Sequence, residues 1–406
     1  MTTNLRKPRV SLLLVVSWVL LYPRNLSALD LGIGDWQAHG FASQGYTYTS
    51  GNNFFGSSSG NGSLNFTETG VNVLGHLQPN LLIAAQGLYR DAGGSDNDNF
   101  RLDFANLDYH LSLDEHSTVG IRLGRVKIPF GIYNETRDVI WTRPGVTLPQ
   151  SVYFDALGLR QAFISSDGGL AYGRYTFGDH AISAEMVVSE PRDNTSGTPA
   201  FLTGLPNADG RMSGNPILVG RMGYQWREGR FRLLFSVVNV DRNFTSFSPS
   251  IPSGSVKAFY PLASTQLNLE DWSFTAEYGQ VALERSGFFF PSGTVFKNTS
   301  ENFYLQTEYR FTPSWTALLR FDAFFANIND RGGKRTAQLT GLPRHRFFAE
   351  DITFGLRWTY KDFLVAADYH RVYGTAWLSP VDNPDLARGL GDARWDLLTL
   401  MASYRF

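Results

Sequence analysis

From residue 35 onward, apolar and polar side chains alternate one by one, in runs bounded by Gly, Asn, Asp and Pro. Period two marks a strand whose two faces meet different surroundings. The pattern predicts strands at about Asp35–Thr49, Phe66–Leu77, Leu81–Tyr89, Phe100–Leu113 and Thr118–Val126. After a gap it resumes at Leu170–Phe177, His180–Ser189, Ile217–Trp226, Phe231–Val240 and a weaker strand ending near Leu269. The remainder are Trp272–Leu283, Glu301–Phe311, Trp315–Ala326, Asp351–Tyr360, Phe363–Thr375 and Trp395–Phe406. Short turns such as Gln78-Pro-Asn80 and Lys361-Asp362 take turns with long loops. About sixteen antiparallel strands, with turns on one rim and loops on the other, form a transmembrane β-barrel, so the expected fold class is all-β.

The faces agree with that expectation. From Trp315 to Phe325 the odd positions are all apolar, while Arg320 and Asp322 fall on the other face. In Asp351–Tyr360 the even positions are apolar and Arg357 points the other way. Arg or Lys on a lipid face costs about 2–4 kcal/mol at the bilayer midplane, so charges should collect inside. Pro261 is the one proline inside an expected strand, which should therefore begin late or carry a bulge.

The long gap follows the fifth strand. Gly124-Arg-Val-Lys-Ile-Pro-Phe-Gly-Ile-Tyr133 leads into Thr142-Arg-Pro-Gly-Val-Thr-Leu-Pro-Gln-Ser-Val-Tyr-Phe-Asp155. Pro129, Pro144 and Pro149 remove backbone donors, so the stretch reads as neither strand nor helix. Its Ile, Val, Phe, Tyr and Trp content is unlike a disordered linker. Long irregular segments in compact folds are commonly functional. The expectation is a loop over 128–169, Gly158–Gly169 included, packed into the lumen of the barrel where it narrows a channel.

Composition adds to this picture. Charged residues make up 18%, aromatics 14%, and there are 40 glycines and no cysteine. The formal charge of −1 shows no basic excess, so nucleic acid is not an expected partner. Arg6, Lys7 and Arg9 precede an apolar run from Val10 to Tyr22, and small residues Ser27 and Ala28 follow. That reads as a secretory signal peptide over 1–28, too short to span a membrane, leaving a barrel over 29–406. Export without cysteine fits the bacterial envelope.

The C-terminal Ser403-Tyr-Arg-Phe406 resembles the terminal aromatic signal of Gram-negative outer-membrane barrels. The stretch from Gly124, with Arg143-Pro and Leu148-Pro-Gln-Ser-Val-Tyr-Phe-Asp155, is similar to the loop in relatives of the phosphate-selective porins. The longest loop follows the fifth strand, as the constriction loop does in sixteen-stranded porins. The resemblance implies a cell outer-membrane location and outer-membrane lipids around the barrel. It also implies recognition of Tyr404 and Phe406 by the barrel-assembly machinery, and a homotrimer.

The expected function is therefore a porin for passive diffusion of small hydrophilic solutes or ions. The alternative is a substrate-specific anion or carboxylate channel. The candidate pore-lining groups are Arg122, Lys127, Glu135, Arg137, Asp138, Arg143, Asp155, Arg160, Arg320, Asp322 and Arg357. Arg174, Arg221, Arg310, Glu68, Asp108, Glu277, Glu308 and Asp368 join them on the facing walls. Charges in a narrow passage with low-dielectric walls act strongly on a passing ion. The mixed signs suggest modest selectivity, with Arg137→Ala and Arg143→Ala moving it toward cations. The competing expectation for any one pair, such as Arg137–Asp138, is that it pins the loop to the wall. Asp91, Asp96 and Asp98 lack the spacing of a calcium loop, and the histidines lack zinc-ligand spacing. No cofactor is expected. A barrel hydrolase would need more than His110 beside Asp108, so enzyme activity is not expected.

Overall fold

The computed structural model describes residues 29–30, 35–94, 96, 99–195 and 197–406. The expected signal peptide and Asp98 lie outside the described residues. Sixteen long strands run β1 Gln37–Thr49, β2 Ser63–Gln78, β3 Leu81–Ala92, β4 Asn99–Ser112, β5 Ser117–Lys127, β6 Ser165–Phe177, β7 His180–Pro191 and β8 Ile217–Trp226. They continue as β9 Phe231–Ser246, β10 Gly254–Asn268, β11 Trp272–Gly287, β12 Val295–Thr312, β13 Trp315–Phe325, β14 Phe348–Tyr360, β15 Phe363–Gly374 and β16 Arg394–Arg405. Each pairs antiparallel with the next. Two short strands, Leu29–Asp30 and Gly210–Gly214, lie against the start of β1 and the end of β9.

The ring closes where β16 pairs with β1, from Leu397 opposite Thr49 to Arg405 opposite Phe41. Phe406 and Gly40 exchange two backbone hydrogen bonds, at 2.8 and 2.9 Å. A Cβ on Gly40 would sit 2.4 Å from the Phe406 ring, so any larger residue there requires that ring to turn aside. Closure leaves the ring of sixteen described strands without an unpaired edge.

The outward face is apolar around the ring. Leu107, Tyr109 and Leu111 on β4, Ile121 and Leu123 on β5, and Phe354 and Leu356 on β14 are all exposed. Near the turn rim, aromatic rings follow one another across strands. Trp272 and Tyr309 stack at 4.4 Å, Phe311 meets Trp315, and Trp315 meets Trp358. Such rings suit the level where hydrocarbon gives way to headgroups. Not every charge is inside. Arg125 bonds Asp167 at 2.6 Å and Arg371 bonds Asp396 at 2.7 Å, both pairs facing outward near the loop ends of their strands.

Two strand expectations need correction. β6 begins at Ser165, not Leu170, so the long segment ends at residue 164 instead of 169. Gly168 and Gly169 are strand residues. A Cβ on Gly168 would lie 2.4 Å from the Val188 carbonyl oxygen, so the glycine marks a close backbone approach, not a turn. β10 neither starts late nor bulges at Pro261. Its pairing with β11 skips Tyr260 and Pro261 and resumes at Leu262 in the same register. The missing N–H costs a rung of the ladder without shifting it.

Candidate functional site

Pro129 ends β5, because its ring removes the donor that β6 would need. The segment from Ile128 to Ile164 then runs irregularly, contrary to expectation with three short helical turns: Ile140–Thr142, Gln150–Tyr153 and Arg160–Ile164. Its hydrogen bonds reach the non-lipid faces of many strands. The Gly131 amide donates to Ser236 Oγ on β9 at 3.1 Å. The Ile132 amide and the Tyr153 hydroxyl donate to Glu277 on β11 at 3.0 and 2.7 Å. The Ser151 amide donates to Asp322 on β13, and Arg320 donates to the Thr147 carbonyl. The Val146 amide donates to Asp368 on β15 at 2.7 Å. Arg143 is paired with Glu68 on β2.

Apolar packing fills the spaces between these bonds. Ile128, Phe130, Val146, Leu148, Val152 and Phe154 form one buried cluster with Tyr260, Leu262, Tyr304 and Leu397 from the wall. The loop at 50–62 and the connection at 375–393 add Phe54, Phe55 and Trp377 to the same cluster. The interior of this barrel is thus partly a hydrophobic core.

The candidate charges divide into two groups. Arg137, Asp138, Arg143, Asp155, Arg160, Arg320 and Asp322 are at most 5% exposed. Arg137 donates to the Tyr153 and Arg160 carbonyls at 2.8 and 2.9 Å. Asp138 is gripped by Arg160 and Lys127, and Asp155 lies 3.3 Å from Arg160. Lys127 also reaches Asp103 at 2.5 Å. Burial opposes the charge of Asp138, but Arg160 and Lys127 outweigh it and hold the carboxyl well below its usual range. Asp96 of the acidic loop is likewise buried, and Arg90 and Arg101 keep it well below the usual range.

The second group is partly exposed and lies on the turn side of the segment. Arg122 bonds Asp108 at 2.8 Å. Asp108 also accepts from Tyr172 at 2.7 Å, so its partners are these two side chains and not His110. Arg221 sits between Glu135 of the segment at 2.6 Å and Glu185 at 2.5 Å. Arg357 reaches toward the Ile140 carbonyl, 3.5 Å away. Arg174, Arg232 and Arg357 have no ion-pair partner among the described residues. Glu185 and Arg232 escaped the sequence reading. Glu185 faces Arg221 directly across the β7–β8 ladder, a register that alternation alone does not give. At the seam, the Tyr404 ring lies 4.8 Å from Phe363 and 6.3 Å from Phe406.

The same ring of strands occurs in solved outer-membrane channels. The outer membrane channel DcaP of Acinetobacter baumannii is similar over 92% of this chain and 97% of its own, with a TM-score of 0.57 at 14% identity. The anion-selective porin from Comamonas acidovorans matches 92% of this chain and 99% of its own, with a TM-score of 0.55 at 11% identity. Salmonella typhi OmpF, in complex with daunomycin, matches 91% and 97%, with a TM-score of 0.57 at 12% identity. No protein-family model matches the chain, and no curated protein matches it in sequence. The fold is that of the sixteen-stranded outer-membrane channels, and the chain carries the lipid-facing exterior such a fold requires.

Proposed function

We propose that the protein is an outer-membrane porin for passive diffusion of small hydrophilic solutes and ions, narrowed by the segment from Ile128 to Ile164. The observation that carries this is the partly exposed charged group on the turn side of that segment. Arg122, Arg221, Arg232 and Arg357 share it with Glu135, Glu185 and Glu308. In this reading the buried charges hold the segment in place, and the half-exposed ones meet the permeating ion. Two arginines of this group without acid partners among the described residues, Arg232 and Arg357, against one such glutamate, Glu308, favour anions modestly.

The exterior suits outer-membrane lipids, and the terminal Tyr404 and Phe406 suit the barrel-assembly machinery. A homotrimer is part of the proposal, by likeness to sixteen-stranded porins. The protein is read as a channel, not an enzyme. The test is single-channel recording in planar bilayers with a potassium chloride gradient. Stepwise ohmic conductance with a reversal potential on the anion side is expected. Absence of conductance from folded protein would remove the porin reading.

A further inference from the structure

At the loop end of the barrel, beside the segment just described, lies a cavity of about 300 Å³. Its walls are apolar. Val238 and Val240 from β9, Val256 and Ala258 from β10, and Val281 and Leu283 from β11 all line it. These are inward positions, where a water-filled barrel carries polar side chains. β9 is therefore apolar inside at Val238 and Val240 as well as outside at Leu233, Phe235 and Val237. Phe154 and Phe163 close the cavity from the segment, and Phe201 and Leu202 from the short helix Gly197–Thr203. The cavity is partly open, and concave sites with mostly apolar walls and a few polar groups are where small molecules bind.

The cavity is not uniformly apolar. Arg242, Arg285 and Arg346 also line it. Arg242 is bonded to Asp193 at 2.9 Å and to Glu190 at 2.5 Å. Arg285 and Arg346 have no ion-pair partner among the described residues, and each has a buried Nε with no hydrogen-bond acceptor. Arg285 lies against the faces of Phe290 and Phe296, at 5.5 and 5.2 Å. Asp193, the acid on the lining, is already committed to Arg242. The site therefore pairs an apolar body with two cations that no acid among the described residues pairs.

We infer that this cavity binds a small amphipathic anion, an aryl or short alkyl carboxylate, its apolar part among the valines and phenylalanines and its carboxylate toward Arg285 and Arg346. It goes beyond a general pore for hydrophilic solutes and rests on the channel reading only for the route by which the ligand passes on. Long loops mark the outer side of such barrels, so the ligand enters from outside the cell.

The probe is 4-phenylbutyrate, with inorganic phosphate and neutral 4-phenylbutyramide as controls. Binding is measured by titration calorimetry on the purified full-length protein in detergent, and block of ionic current is recorded in bilayers. Saturable binding of 4-phenylbutyrate is expected, with the amide at least roughly tenfold weaker and phosphate not competing. Arg285→Met and Arg346→Met should each weaken binding roughly tenfold while leaving the unpaired neighbourhood intact. Ala258→Phe, which fills the cavity and keeps both arginines, should abolish it. Equal affinity in Ala258→Phe, equal affinity for the amide, or no saturable binding in folded wild-type protein would each overturn the inference. Binding without conductance would sustain the site and remove the porin reading instead.

Discussion

The Tyr153 hydroxyl donates to Glu277 Oε2 at 2.7 Å, joining the middle of the segment from Ile128 to Ile164 to a strand well round the ring from where that segment begins. The Tyr153 hydroxyl oxygen also accepts from the amides of Ile132 and Tyr133, at 3.1 and 3.0 Å. One phenol thus organises two parts of the segment and fixes both to the wall.

Tyr153→Phe keeps the ring and removes the oxygen. The Tyr133 amide is left without an acceptor, at a cost of about 1–3 kcal/mol, while the Ile132 amide keeps Glu277 and Glu277 keeps Tyr304. A lower denaturation midpoint in detergent and noisier open-channel current are expected. Thermal unfolding followed by circular dichroism, with bilayer recording beside it, checks both.

Arg160→Met should be more severe. It takes from Asp138 and Asp155 a cation that both use, and breaking a buried pair costs about 3–5 kcal/mol. Asp138 would keep only Lys127, which Asp103 shares. Added protease should then cut within 128–164 in folded protein, where the parent chain resists. Resistance equal to the parent's would mean the guanidinium does not anchor the segment.

The pH response follows from Asp138 and Asp96. Both carboxyls are held below their ordinary range in the folded protein, so their stabilisation is complete above the unfolded value of about 4. It is lost only as pH falls from there through the lower folded values. Conductance should stay level from neutral pH down to about pH 5, then become unstable below about pH 4. A transition centred near neutrality would point to different groups.

Selectivity separates buried from half-exposed arginines. Arg232→Gln and Arg357→Gln should move the reversal potential toward cations. Arg137→Ala and Arg143→Ala should chiefly destabilise the protein, since both side chains are sealed among carbonyls and carboxylates. A larger reversal shift from the buried pair than from the half-exposed pair would reverse this division.

Gly40→Val sets a branched side chain against the Phe406 ring at the seam. A lower temperature for loss of the compact, heat-modifiable band on detergent electrophoresis is expected. Restoration by pairing it with Phe406→Ala would show that the clash is the cause.

Alternation made the barrel legible. Leu107, Tyr109 and Leu111 announced their face because lipid tolerates so few alternatives. Gly168 falls inside the expected loop because a glycine for a turn and a glycine for a close strand contact look alike in one sequence. Pro261 suggested a break, yet neighbours on both sides hold the register through it. The Arg221–Glu185 rung depended on ladder register, which parity does not carry. The apolar cavity was hidden for a related reason. Val238 and Val240 look like a strand with a blurred pattern until the structure gives both faces a neighbour.

Ser43 and Ser403 share a hydrogen bond of 2.6 Å across nearly the whole length of the chain. Nothing emerging early from a ribosome can therefore be a finished membrane protein. The first strand must wait, with one flank unmatched, until the final residues arrive. Until then that flank stays open to pairing with another chain, and loss of the residues around Ser403 forfeits the latch on which the enclosure depends.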